Sequence, residues 1–305
     1  MLERHRRLLL PTAAEVTVAT TRQYVIVSPI RNEAAHLAET IAAVVSQTIK
    51  PAEWVLVDDG SSDASGSIAD EWAGRYAWIR VIHRRDRGGR SQGTGVMEAF
   101  YEGYGALTIT DWEFLVKFDG DIVAGSSYFE ACLAKFDADP ALGIGGGYVD
   151  EGLEPDGTPP FHVRGATKIY RRACWNQLGG LIKSPGWDTL DELKAQFLGW
   201  KTRTFTDLRV LHRRHTGAAD GAWLNAVKNG RANYVAAYHP LFMILKCLKR
   251  FLSSRPYGLQ SLGLWYGFVG GYLHRLPRVE DKLLIKYIRS QQLRRLLFLP
   301  SIWSE

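Results

Sequence analysis

The chain has 305 residues, 46% hydrophobic and 23% charged, with a formal net charge of +6. Those proportions exclude a disordered or collagen-like chain and allow one large domain or two. Three widely separated cysteines, Cys132, Cys174 and Cys247, exclude a disulfide framework or a cysteine-based zinc site and suit a reducing compartment.

Residues 1–22 carry only Leu8, Leu9 and Leu10 before Pro11, too short a run for a signal-peptide core, and are expected to be an N-terminal extension. Residues 24–30 form a β-branched run that predicts the first strand, closed by Pro29 and followed by polar Arg31-Asn32-Glu33. A helix follows, with Leu37, Ile41, Val44 and Val45 on one face, until Pro51 breaks it. Residues 54–57 predict a second strand, which ends at Asp58-Asp59-Gly60-Ser61-Ser62-Asp63. The order then runs helix 68–76, strand 78–82, a glycine- and arginine-rich loop 83–95, and helix 96–107. The next strand, with Phe114, Leu115, Val116 and Phe118, stops at Asp119-Gly120-Asp121.

Alternating strands and helices imply a parallel sheet, and ligands of such sheets bind outside the carboxyl ends of the strands. The clusters 31–33, 58–63 and 119–121 all fall there, so separate loops should converge on one crevice. Gly120 lets the chain turn so that Asp119 and Asp121 face one point. Hard cations such as Mg2+ or Mn2+ are held by one or two carboxylates plus substrate phosphates, so this is a docking point for a metal–diphosphate. An ordinary Asp-Gly turn is the competing reading. A dinucleotide-binding domain would place Gly-x-Gly-x-x-Gly after the first strand, where this chain has Pro29-Ile30-Arg31-Asn32-Glu33. The glycines of 88–95 lack the Gly-Lys-Ser/Thr ending of a nucleoside-triphosphatase loop.

Farther along, strand 142–148 contains Gly143, Gly145, Gly146 and Gly147, which signal close approach of a ligand or of another backbone. A strand over 163–170 and a short helix over 171–178 follow. Asp188, Asp191 and Glu192 open a further helix, where acidic residues suit the dipole of any helix N-terminus. Two strands, 201–206 and 208–211, lead to His212.

Past residue 217 the character changes. From 239 to 299 there are eleven Lys/Arg against two Asp/Glu, a balance of +9 that leaves −3 for the rest. Basic residues alternate there with large apolar ones, which fits an anionic membrane surface and no nucleic acid. Residues 257–273 are uncharged but interrupted by five glycines and short for a span, so interfacial or re-entrant packing is expected. Alternatively these helices pack on the rest of the chain or on a second copy in a homo-oligomer.

Val27-Ser-Pro-Ile-Arg-Asn-Glu33, Val57-Asp-Asp-Gly-Ser-Ser-Asp63 and Asp119-Gly-Asp121, in this order and spacing, resemble family 2 glycosyltransferases over residues 24–217. The resemblance implies the GT-A fold, a Rossmann-like, mostly parallel mixed sheet with flanking helices. It implies a catalytic domain over 23–217, followed by a C-terminal helical, membrane-interfacial region over 218–305. It also implies an inverting transferase on the cytoplasmic membrane face, moving sugar from a nucleotide-diphosphate donor to a lipid-linked or saccharide acceptor. Pro29, Arg31, Glu33 and Asp58 or Asp59 would line the nucleotide site, with Asp119 and Gly120 beside the diphosphate. Asp119, Asp121 and His212 would hold Mn2+ or Mg2+. Arg90, with Arg84 or Arg87 next, would close on phosphate. The acidic pair at a helix start corresponds to Asp191-Glu192, with Asp191 the preferred base ahead of Glu192 and Asp188. A nucleotidyltransferase, or a non-catalytic nucleotide-sugar or lipid-binding module, is the alternative.

Overall fold

The computed structural model describes residues 23–86, 88, 94–152, 161–214, 221–253 and 258–303. The extension 1–22, Arg87, Arg90 and the junction at 217 lie outside them. The first half runs β1 (Tyr24–Ile30), α1 (Leu37–Val45), β2 (Glu53–Asp58), α2 (Ser65–Ala73), β3 (Ile79–His83), α3 (Thr94–Gly105) and β4 (Phe114–Phe118). β1 pairs in parallel with β2 and β4, and β2 with β3. Side chains alternate across these strands, which sort their apolar residues onto two faces. Tyr24, Ile26, Trp54, Leu56, Phe114 and Val116 join α1 on one side. Val25, Val27, Val55, Val57 and Leu115 meet Met97 and Phe100 of α3 on the other. Burial on both faces is why the strands read as nearly continuous apolar runs.

The second half adds β5 (Ile122–Ala124), α4 (Tyr128–Ala138), β6 (Leu142–Asp150), β7 (Thr167–Arg171), α5 (Arg172–Leu178), α6 (Trp187–Phe197) and β8 (Lys201–His212). The completed sheet has the order β3-β2-β1-β4-β7-β6-β8-β5. β7 runs antiparallel to β4 and β6, β5 antiparallel to β8, and β6 parallel to β8. The two strands expected over 201–211 are one, and β7 begins at Thr167 rather than at residue 163. The glycines of β6 are explained by protein packing. A Cβ on Gly145 would lie 2.6 Å from the Phe205 ring, and one on Gly146 would fall on the Thr167 carbonyl oxygen.

Four helices follow: α7 (Gly221–Val235), α8 (Pro240–Ser253), α9 (Leu259–Leu273) and α10 (Lys282–Leu296). α7 and α9 touch backbone to backbone. A Cβ on Gly267 would fall on the Val227 carbonyl oxygen, one on Gly230 on the Leu264 carbonyl oxygen, and one on Gly271 on the Tyr234 ring. The glycines of 257–273 therefore mark helix–helix contact. Leu190 and Leu193 of α6 share one core with Tyr234, Val235, Met243, Leu264, Phe268, Leu284 and Ile288. Among the described residues no helix is long and apolar enough to cross a membrane.

Candidate functional site

At the carboxyl ends of β1 and β2 three loops are tied together. Arg31 donates to the Asp59 carbonyl and, at 2.6 Å, to the Asp86 carboxylate. Arg84 pairs with the Asp59 carboxylate and lies 2.7 Å from Glu102. A Cβ on Gly60, whose φ is +70°, would strike the Asp86 backbone, so glycine there admits the 84–86 loop. Both oxygens of Asp58 are used locally, accepting from the Ser61 amide at 2.9 Å and meeting His83 Nδ1 at 3.2 Å. The second carboxylate on His83, Asp70, and then Asp58 raise the imidazole above its ordinary pKa, although burial opposes them. Pro29 lies half-buried at the end of β1, in register with Val57. Glu33 is buried, donates its backbone amide to the Ser65 Oγ at 2.7 Å, and pairs its carboxylate with Arg214.

At the end of β4, Asp119 and Asp121 have different surroundings. Asp119 is partly exposed and pairs with the buried Lys117, which also donates to the Gly165 carbonyl at 2.6 Å. Asp121 is buried, with Oδ1 at 3.3 Å from His212 Nε2 and Oδ2 at 3.3 Å from Arg214. Burial alone would raise the Asp121 carboxyl, but His212 and Arg214 hold it below the usual range. The antiparallel register of β5 on β8 sets Ile122 opposite His212, which is how His212 reaches Asp121. His212 Nδ1 lies 2.9 Å from Glu151, which also takes Arg164 at 2.9 Å. Gly120 lies in the turn expected of it, with its φ outside the left-handed region. Its value is space: a Cβ would come within 2.7 Å of Ile30 and 3.4 Å of Glu33.

The acidic cluster of α6 divides sharply. Asp191, the preferred base in the sequence, is buried, receiving Lys168 at 2.8 and 3.0 Å and the Tyr170 hydroxyl at 2.6 Å. Burial pushes its carboxyl up to about 7 even though Lys168 opposes the shift. Glu192 is also buried, 2.7 Å from Lys168 and from the Val163 amide and 2.8 Å from His162. Both carboxylates are engaged by partners inside the protein. Asp188, one turn earlier, is half-buried, and its carboxylate makes no hydrogen bond or ion pair among the described residues. Its backbone carbonyl is held by Lys168.

Trp187 joins the two halves of the site. Lys117 Nζ lies 5.4 Å from its ring centroid and Lys168 Nζ 5.5 Å. A Cβ on Gly165 would lie 2.9 Å from that ring and 3.3 Å from the Asp188 Cβ. Lys117, Gly165, Trp187, Lys168, Arg214 and Glu151 are absent from the residues expected from sequence. For Lys117 a signal existed, since it interrupts the apolar strand Phe114–Phe118, whereas Lys168 stands in the mixed run Thr167–Arg171. A charge at such a position needs buried partners.

Residues 25–185 match the family described as Glycosyl transferase family 2. Glycosyltransferase GlyG of Streptococcus pneumoniae is 28% identical over 140 residues, 46% of this chain and 43% of that protein. A cholesterol galactosyltransferase of Borreliella burgdorferi is 31% identical over 109 residues, 35% and 27% of the two chains. This chain thus spans less than half the length of those relatives. Among solved structures, the mannosyltransferase PcManGT of Pyrobaculum calidifontis, in complex with GDP-Man and Mn2+, superposes with a TM-score of 0.54 at 17% identity, covering 92% of this chain and 77% of its own. TarS 1–349 of S. aureus with UDP-GlcNAc gives 0.54 at 16%, covering 90% and 87%. These likenesses show the GT-A fold.

Proposed function

Because the chain belongs to glycosyl transferase family 2, we propose that it moves a sugar, with inversion, from a nucleoside-diphosphate sugar to an acceptor hydroxyl, with Asp188 as general base. One observation carries this reading. The partly exposed Asp119 and the Asp188 carboxylate, which has no hydrogen bond or ion pair among the described residues, both neighbour Gly165: its carbonyl accepts from the lysine that holds Asp119, and a Cβ there would lie 3.3 Å from the Asp188 Cβ. A diphosphate on one side and an acceptor on the other would meet there. Asp59, Arg31 and Pro29 would hold the nucleoside, since Asp58 is occupied in bracing its own loop.

Asp121 and His212 present an oxygen and a nitrogen 3.3 Å apart, a donor set that fits a divalent cation. Among the described residues no three His, Cys, Asp or Glu gather around one point, so phosphate oxygens would complete the coordination. PcManGT was solved with Mn2+, which supports that assignment. The cation, when bound, would offset charge developing on the leaving nucleoside diphosphate. Asp188 would take the acceptor proton as the hydroxyl attacks the anomeric carbon, and Lys168 would fix the helix turn that carries it. A single base opposite the leaving group implies inversion. The reading further includes catalysis by residues 23–217 and a cytoplasmic membrane face contacted by residues 218–305. The test is a panel of UDP- and GDP-sugars, each with Mn2+ or with chelator, followed by thermal stabilisation and by release of nucleoside diphosphate. Failure of every donor to stabilise the protein would overturn the reading.

A further inference from the structure

α8 packs on the protein along one side only. Met243 is its one buried residue among those described, and Phe242 packs at its start against Tyr238 and Trp303. Leu241, Ile244, Leu245, Leu248 and Leu252 repeat at three- and four-residue spacing, so they share one face of the helix. All five are exposed, Leu248 to 55% and Leu252 to 80%. A globular helix turns such a stripe toward the core, and here the stripe points away from it. Lys249 flanks the stripe, Lys246 lies over the Tyr238 ring and Arg250 on the side opposite the stripe, and Pro240–Ser253 contains no acidic residue. α9, which packs on α8, adds exposed Leu259, Leu262, Tyr266 and Leu273.

We infer that α8 is the element that docks this protein on an anionic lipid bilayer, lying in the plane of the headgroups with its leucine stripe in the acyl region. Charge decides between occupants. A second copy would bring one helix without acidic residues, in a region of charge +9, against another, whereas anionic headgroups would offset that charge. The packing of α8 through its Met243 side leaves the stripe free to enter lipid. The inference names the docking helix within the membrane-contacting region already proposed, and it does not depend on sugar transfer.

The test uses the whole chain and sedimentation with vesicles of phosphatidylcholine, with or without phosphatidylglycerol. Wild type should bind the phosphatidylglycerol vesicles preferentially. Leu245→Gln with Leu248→Gln should lower the partition coefficient about 100-fold, roughly tenfold for each leucine withdrawn from the acyl region. Lys249→Gln with Arg250→Gln should cost about tenfold, on phosphatidylglycerol vesicles only. Both variants alter exposed positions, so thermal midpoints and binding of UDP or GDP with Mn2+ should match wild type. Unchanged vesicle binding by the leucine variant would overturn the inference. So would a wild type that ignores both vesicles and forms a dimer that the leucine substitutions disperse. Vesicle binding with no nucleotide binding would support the docking helix and count against the transfer reading alone.

Discussion

Asp188→Asn and Asp191→Asn should separate catalysis from architecture, although the two carboxylates are one helical turn apart. Asp188→Asn removes a carboxylate that makes no hydrogen bond or ion pair among the described residues and reaches the buried Lys168 and His162 only through its field, so little stability should be lost. Loss of a general base typically costs about 100- to 10,000-fold in rate, or about 3–5 kcal/mol of barrier. Its melting temperature should stay within about 1 °C of wild type. Asp191→Asn instead leaves the buried Lys168 with Glu192 as its one remaining carboxylate. Breaking a buried pair by removing one partner costs about 3–5 kcal/mol. Because Glu192 stays in place and burial already pushes Asp191 up to about 7, the lower end applies. About 3 kcal/mol corresponds to a fall of roughly 6–10 °C in a chain of this size. Transfer rates are measured well below both midpoints, beside a melting curve by fluorescence. Near-normal turnover in Asp188→Asn, or a fully folded Asp191→Asn without turnover, would refute the assignment of the base.

Asp121→Asn or His212→Gln should weaken Mn2+-dependent nucleotide binding by at least about tenfold, read by calorimetry with UDP and GDP. Binding insensitive to both changes and to chelator would remove the cation from the site. Gly267→Ala should lower the melting temperature by roughly 6–10 °C, since its new methyl meets the Val227 backbone and not a side chain that can yield. His83 has a pKa raised first by Asp70 and then by Asp58. Its pairing therefore stabilises the fold fully below the unfolded value of about 6.5 and fades as pH rises through the higher folded value. The melting difference between wild type and His83→Gln should shrink on going from about pH 6 to about pH 9, and a constant difference would contradict the pairing.

The parallel half of the sheet was legible because β1, β2 and β4 are buried on both faces and their loops carry the polar residues at one end. Strand boundaries in the second half were less so. β8 continues through Thr206-Asp207, polar residues that Lys135 and the sheet edge accommodate. The convergence of 31–33, 58–63 and 119–121 could be read from their places at strand ends. The division of labour among Asp188, Asp191 and Glu192 could not. All three suit a helix start electrostatically, and their fates depend on Lys168, a residue 20 to 24 positions earlier whose partners only the sheet register brings into reach. Gly120 and the glycines of β6 and α9 were visible as glycines, but whether each served a turn or a close approach required the neighbour to be known.

The shared core between α6 and the last four helices has a practical consequence for dissecting this chain. Composition suggests a cut after residue 217 or 238, with a transferase on one side and an anchor on the other. Either cut would expose Leu190 and Leu193 on the helix that carries Asp188, and the one after 238 would also leave α7 with a bare groove at Gly230 where α9 had been. The shortened protein would lose the wall against which α6, and Asp188 with it, is held. Insolubility or inactivity of that fragment would then report collapse of the acceptor side, not loss of an anchor. Altering the outer face of α8, residue by residue, separates the two because it leaves that wall standing.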